Sequence, residues 1–442
     1  ASLVIRIGGP AAKSVSVRRI VDVARPALEI VWEKPQPVPV VDLPKNARIL
    51  ARDHWTSTPV LAAYGHTLWL ATPPGEHGYE RYPYLVQALT SLGFVPPYLS
   101  RQLWAFFDSG YRSRADLDYL AERWRAAGIS GLHVAAWHYF ESDPERDAYL
   151  KRLIDACHRR LIHVYAWIEL PHVSERFWHD HPEWREKTAL GEDAHLDWRK
   201  LMNLTNPDCH RAVREGIDAL VSRFDWDGVN LAELYFESLE GAANPARFTP
   251  MNDEVRREVK QTLGFDPREI LAKPNDPRLR KFLDYRAGLA LRLQKTWLEI
   301  LEVHRRSRPH LDLVWTHIDD RFDPRMRDLL GADSEQALKL AAPARATFLI
   351  EDPATVWNLG PRRYLEIARK YGAPPAGAQL AIDINIVERY QDVYPTKQQT
   401  GVELFELAHH AAQAFPRVAL YFENSILAPD YPLPAAANDD KA

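Results

Sequence analysis

From about residue 100 onward the chain alternates short apolar runs of strand type with longer amphipathic stretches of helical period. The runs fall at 103–108, 131–139, 162–170, 228–234, 311–319, 347–352, 379–385 and 418–424. The stretches between them include 113–127, 145–159, 209–223, 277–307, 361–371 and 400–415. A strand presents side chains to alternate faces, whereas a helix gathers them on a 3.6-residue period. A chain that keeps switching between the two layers helices on a parallel sheet. Eight such units close a sheet on itself, so the expected fold class is α/β, a (β/α)8 TIM barrel. An open doubly wound sheet is the alternative with the same rhythm.

Residues 1–98 stand outside that rhythm. Short strands are expected at 4–7, 28–32, 48–51, 60–63 and 68–71, with a helix at 85–92, separated by Pro-rich turns. They make a smaller β-rich or α/β N-terminal unit before a barrel at 99–433, and residues 434–442 read as a disordered tail. Two long insertions, 171–207 and 238–277, follow the third and fourth runs. Both lie on the strand-to-helix side, where barrel enzymes build their sites.

Parity sorts each run into two faces, and the face that meets helices should be aliphatic. Leu380, Ile382 and Ile384 look outward, which turns Asp383 and Asn385 inward; Tyr421 and Glu423 follow from the eighth run and Glu351 from the sixth. The third run turns Trp167 and Glu169 inward, the second His133 and Trp137, the first Asp108, and the fifth Trp315, His317 and Asp319. In the fourth run, strict alternation from Val229 and Leu231 puts Glu233 outside. Either a bulge re-aims it, or Asn230 and Ala232 face in and Glu233 begins the loop. Six acids at strand ends contribute little to folding and cost desolvation, so a purely structural account of all of them is awkward.

The chain has 14 Trp and 18 Tyr against three Met, and flat aromatic faces accept sugar rings. Carboxylates ringed with aromatic plates suit glycosidic cleavage. One carboxylic acid protonates the leaving oxygen, and an ionised partner attacks the anomeric carbon or activates water. Asp108, His133, Trp137, Trp167, Glu169, His317, Asp319, Asp383, Asn385, Tyr421 and Glu423 are the expected substrate-binding residues, and carbohydrate is the expected substrate.

Three segments carry a resemblance. His181-Pro182-Glu183-Trp184, then Leu201-Met202-Asn203-Leu204-Thr205-Asn206-Pro207, then Phe224-Asp225-Trp226-Asp227-Gly228-Val229-Asn230-Leu231 form an ordered series. It resembles the bacterial glycosyl-hydrolase-like family ten barrels, distantly related to the α-amylase-type clans. The resemblance implies an acidic site on the fourth strand and a second carboxylate on the fifth or sixth. Glu233 and Glu351 are the implied catalytic pair, with Asp319 and Asp383 in reserve. Where the family shows two adjacent Asp residues, this chain has Ala232-Glu233.

Two other readings compete. A metal-dependent polysaccharide deacetylase or hydrolase needs a His-x-His pair after the first strand, but that run ends Phe106-Phe107-Asp108. His172, His179 and His181 lack zinc-ligand spacing, Cys157 and Cys209 read as ordinary thiols, and neither metal nor cofactor is expected. A non-catalytic carbohydrate-binding barrel would keep the Trp plates and relax the acids. Net charge is −4 with both signs interleaved, and no apolar run approaches the roughly 18 residues of a membrane span. Nucleic-acid binding and membrane insertion are therefore not expected. The first residues carry no initiator Met and no signal pattern, so the chain is expected to be a fragment or to have lost a leader. A periplasmic or secreted location is the expectation, and oligomeric state is unspecified.

Overall fold

The structure is a computed structural model that describes residues 4–24, 29–75, 81, 82, 85, 88, 89, 102–196, 199–236, 238, 240–271, 273, 275–352, 360–386, 400–426 and 428–438. The chain divides into two compact units, Ala1–Tyr98 and Leu99–Ala442.

In the first unit, strands β1 (Val4–Ile7), β2 (Ser14–Asp22), β3 (Glu29–Pro39), β4 (Arg48–Asp53), β5 (Pro59–Tyr64) and β6 (Thr67–Leu70) form one sheet. Their order is β1-β6-β5-β4-β2-β3, antiparallel except for the β1–β6 pair. Strand β2 was not expected. Its register against β3 shifts between Val17 and Arg19, so the buried Val17 and Ile20 stand three residues apart and the period-2 signal is lost. The helix expected at 85–92 falls mostly outside the described residues.

The second unit is the expected closed barrel. Strands β7 (Gln102–Phe107), β8 (Ile129–Ala135) and β9 (His163–Glu169) come first, and a two-residue hairpin, β10 (His195–Leu196) with β11 (Arg199–Lys200), interrupts. Then follow β12 (Gly228–Ala232), β13 (Asp312–His317), β14 (Thr347–Ile350), β15 (Gln379–Asn385) and β16 (Arg417–Tyr421). The eight long strands pair in parallel from β7 round to β16 and back to β7.

The helices start where side chains can satisfy their free N–H groups. Asp116 caps Leu117–Ala126, Asp143 caps Pro144–His158 and Asp276 caps Pro277–Ser307, while Thr400 and Glu403 form a capping box on Gly401–Ala414. Asn206 accepts from the N–H groups of Asp208 and Cys209 ahead of Pro207–Arg223. The Asn-Pro step is thus a helix start in physical terms.

Inside the barrel, Trp104, Phe106, Ala135, Tyr165, Trp167, Ala232, Val314, Leu349, Ala381 and Ala419 pack together. Between barrel and helices lie Leu103, Leu132, Val164, Val229, Leu231, Phe348, Ile350, Ile382 and Leu420. Trp315 belongs to that outer layer, which corrects the parity expected for the fifth run. Leu313 and Trp315 on one face and Val314 on the other are all apolar, so alternation could not discriminate. The interior is already filled by Trp104 and Tyr165, and takes the smaller Val314 instead.

The Asp227-Gly228 step also has a structural cause. Asp227 Oδ2 accepts from the Val164 N–H at 2.7 Å and meets His158 Nε2 at 2.8 Å, tying β12 to β9. A Cβ on Gly228 would sit 2.3 Å from the Tyr165 ring and 2.9 Å from the Asp312 carbonyl. Gly228→Ala is expected to destabilise the barrel by about 1–3 kcal/mol through overpacking. Its denaturation midpoint measures this, and a midpoint equal to wild type would mean the Tyr165 ring moves aside freely.

The tail expectation needs correction. Pro432–Ala437 is a helix with Pro434 and Ala437 buried, so the part of 434–442 that is described is folded.

Candidate functional site

The C-terminal ends of β9, β12, β14 and β15 bring four carboxyl groups to one mouth. Glu169 is the last residue of β9 and lies level with Ala232 of β12, so Glu233 follows one step beyond. Asn230 and Ala232 face inward and Glu233 begins the loop, which is the second of the two arrangements the fourth run allowed. Its φ of +53° turns the chain, and left-handed backbone costs a residue with a Cβ roughly 1–2 kcal/mol. Glu351 follows β14 directly, its N–H donating to the His317 carbonyl at 3.0 Å.

A residue not foreseen organises the acids. Arg199, brought in by the hairpin in the first insertion, has its side chain only 6% exposed. Its Nε lies 3.0 Å from Glu169 Oε1 and its Nη1 is ion-paired to Glu233 Oε2. Burial works against the Arg199 charge, but Glu233 and Glu169 more than offset it and hold its pKa above the usual value. Burial, then Glu233, pushes the Glu169 carboxyl up to about 8 against the pull of Arg199.

Glu351 is raised well above the carboxylate range, first by desolvation and then by Glu233 and Glu169. The Tyr235 hydroxyl, also unforeseen, points to its Oε2 at 3.4 Å. Asp383 is raised by burial and then by Glu351. Glu169 Oε2 and Asp383 Oδ1 are buried without a hydrogen-bond partner among the described residues. Such an atom costs about 1–3 kcal/mol, which a ligand hydroxyl would recover.

Aromatic rings floor the mouth. Trp137, on a 3-10 turn after β8, stands edge-on to Trp167 at 4.7 Å between ring centres. Trp167 meets Tyr421 at 5.9 Å and Phe422 at 6.0 Å. Asn385 shares the parity of Asp383 and lies level with Tyr421.

Five expected binding residues sit elsewhere or are already engaged. His133 is at the barrel's centre, stacked on Tyr165 at 4.6 Å and bonded to Asn230 at 3.1 Å; burial pushes its pKa down to about 3. It is a core residue below the mouth. His317 lies on the outer face of β13, stacked on Phe348. Asp319 accepts from the Tyr371 hydroxyl at 2.8 Å and from the N–H groups of Arg321 and Phe322, away from the mouth. Glu423 is buried behind the barrel wall, accepting from Trp124 Nε1 at 3.1 Å and the Tyr431 hydroxyl at 3.0 Å. In each run the strand ends before the acid does: β13 stops at His317 and β16 at Tyr421, so parity cannot be carried on to Asp319 or Glu423. Asp108 caps a short turn through the Gly110 N–H and pairs with His138 Nε2 at 2.7 Å.

Among the described residues, no group of three or more His, Cys, Asp or Glu is arranged to hold a metal ion, and no helix is long and apolar enough to cross a membrane.

No family model and no curated protein matches the chain. Solved structures do. The PgaB (BpsB) glycoside hydrolase domain from Bordetella bronchiseptica is similar over 77% of this chain and 98% of its own, at 14% identity with a TM-score of 0.56. A β-galactosidase from the psychrophilic Marinomonas ef1 matches 77% of this chain at 11% identity with a TM-score of 0.56. One from Bacillus circulans sp. alkalophilus matches 74% at 11% with a TM-score of 0.52. The chain spans 59% and 51% of those two β-galactosidases. At such identity the likeness establishes the fold: these neighbours are glycoside hydrolases with barrels of the same kind.

Proposed function

We propose that this chain is a glycoside hydrolase that cleaves a poly- or oligosaccharide, with Glu233 as nucleophile or base and Glu351 as general acid. The observation that carries the reading is the opposite environment of two carboxyls in one mouth. Glu233 is ion-paired to a buried guanidinium, whereas Glu351 is desolvated among acids that raise its pKa and favour its protonated form. A carboxyl paired with a guanidinium, beside one whose desolvation favours its protonated form, gives one mouth the two partners that glycosidic cleavage requires. The half-buried Trp137 and Tyr421 offer flat faces for the ring over the buried Trp167, and Asp383 an acceptor for its hydroxyls. The ordered motif series further supports kinship with the glycosyl-hydrolase-like family ten barrels.

The test is an oligosaccharide panel followed for release of new reducing ends, with Glu233→Gln as the control. Proton NMR of the first product reports the anomer. Retention fits carboxyls about 5–5.5 Å apart, and inversion fits about 6.5–9.5 Å. Release that persists equally in Glu233→Gln would end the assignment.

A further inference from the structure

We propose that Arg199 decides which of two neighbouring carboxyls carries charge, holding Glu233 ionised while the proton of the pair rests on Glu169. The proposal rests on the reading of Glu233 as the reacting carboxylate. Its basis is geometric. One guanidinium faces two acids at once, Nε toward Glu169 Oε1 at 3.0 Å and Nη1 against Glu233 Oε2. A single positive charge neutralises a single carboxylate, so two acids around it share one proton unless solvent shields the second charge.

Burial settles where that proton goes. The Glu169 side chain is 3% exposed and the Glu233 side chain 22%. The charge is cheaper on the wetter Glu233, and Glu169 Oε2, buried without a partner among the described residues, is where an O–H stands ready to donate.

The other charged and titratable groups around the trio do not cancel this arrangement. Glu351 and Asp383 act on Glu233 from the β14 and β15 side, Tyr235 lies on the turn that carries Glu233, and Glu186 and His172 lie on the insertion side. Burial pushes His172 down to about 3, so it adds no second cation at neutral pH. Asp108 also raises Glu169, after burial and Glu233. Lys200, next in the hairpin, turns its ammonium over the Trp178 ring. The hairpin itself is pinned, because Lys200 N–H donates to His172 Nδ1 at 3.1 Å and Leu196 pairs with Arg199. Arg199 is a positioning residue: it acts on the reaction through the charge of Glu233.

The experiment titrates the full chain carrying 13C-labelled glutamate carboxyls, with the Glu169 signal assigned by its loss in Glu169→Gln. The wild-type midpoint is expected at about 8. In Arg199→Gln it should rise by about one pH unit or more, since a nearby cation is removed. In Glu233→Gln, a near-isosteric change, Glu169 gains the guanidinium for itself and its midpoint should fall below that of wild type. An unmoved midpoint in either variant overturns the proposal, and the second variant keeps the test open if Arg199→Gln does not fold.

With a cleavable sugar, Arg199→Gln should also move the acid limb of the pH–rate profile upward and lower kcat more than it raises KM. A purely structural clamp would lower the rate at every pH and leave the limb in place, which would likewise overturn the proposal. If the midpoints move as expected while no sugar on the panel is cleaved, the charge-setting role stands and the hydrolase reading falls.

Discussion

Glu351→Gln is expected to lower turnover by roughly 10²–10⁴-fold on sugars with poor leaving groups, the range a positioned general acid contributes. On an aryl glycoside whose phenol leaves without a proton, the loss should shrink to a small factor. Glu351 directly follows β14, and burial, then the company of Glu233 and Glu169, raises its carboxyl and favours the protonated form. The alkaline limb of the wild-type profile should reflect this raised group, because activity is lost once the acid ionises. The limb should vanish in Glu351→Gln. Glu233→Gln should behave oppositely, with a loss as deep on the activated glycoside as on the natural one, because the missing group is the one that attacks or activates water. Equal leaving-group dependence in the two variants would show that the roles are not divided between them, and Glu169 would become the candidate acid.

Much of this arrangement was legible in the chain, for reasons that can be named. Strands such as β15 and β9 carry aliphatic residues on one face and Asp383 or Glu169 on the other, so period-2 alternation in the sequence suffices to turn these acids inward. The start of the long helix at Pro277 was readable, and Asp276-Pro277 combines a cap with a fixed φ there, whereas Pro207–Arg223 begins two residues ahead of the stretch expected at 209–223. Alternation failed where both faces are apolar, as at Leu313, Val314 and Trp315. It failed again where the strand stops short of the acid, as at Asp319 and Glu423. Arg199 was out of reach for a different reason. It meets Glu233 34 positions away through a two-residue hairpin, and no local period announces such a contact. Tyr235 lies two residues past Glu233, and only the left-handed turn at Glu233 brings its hydroxyl to Glu351.

Arg286→Met is expected to remove about 3–5 kcal/mol of stability and, with it, much of the activity. The Arg286 side chain is almost wholly buried, and its guanidinium donates to four backbone carbonyls: Thr249 at 2.6 Å, Leu329 at 2.8 Å, Asp328 at 3.0 Å and Phe236 at 3.2 Å. Burial is unfavourable enough to pull its pKa down to about 9. Removing the charge therefore relieves a desolvation penalty of several kcal/mol. Against that, four buried acceptors lose a charged donor, at roughly 1.5–3 kcal/mol for each bond. The second effect wins.

The functional loss follows from where the carbonyls lie. Phe236 is three residues past Glu233, and Gln294 on the same long helix donates to the Leu234 carbonyl at 2.8 Å. The turn carrying Glu233 and Tyr235 is thus held from behind by Pro277–Ser307, and its left-handed residue needs that support. Arg286→Lys, keeping the charge but losing the fork, should recover only part of the stability. Chemical denaturation of the three proteins, with kcat measured well below the midpoint, separates the effects. A wild-type midpoint in Arg286→Met would refute the packing argument. A lowered midpoint with unchanged kcat would show that the Glu233 turn holds its own shape without the helix.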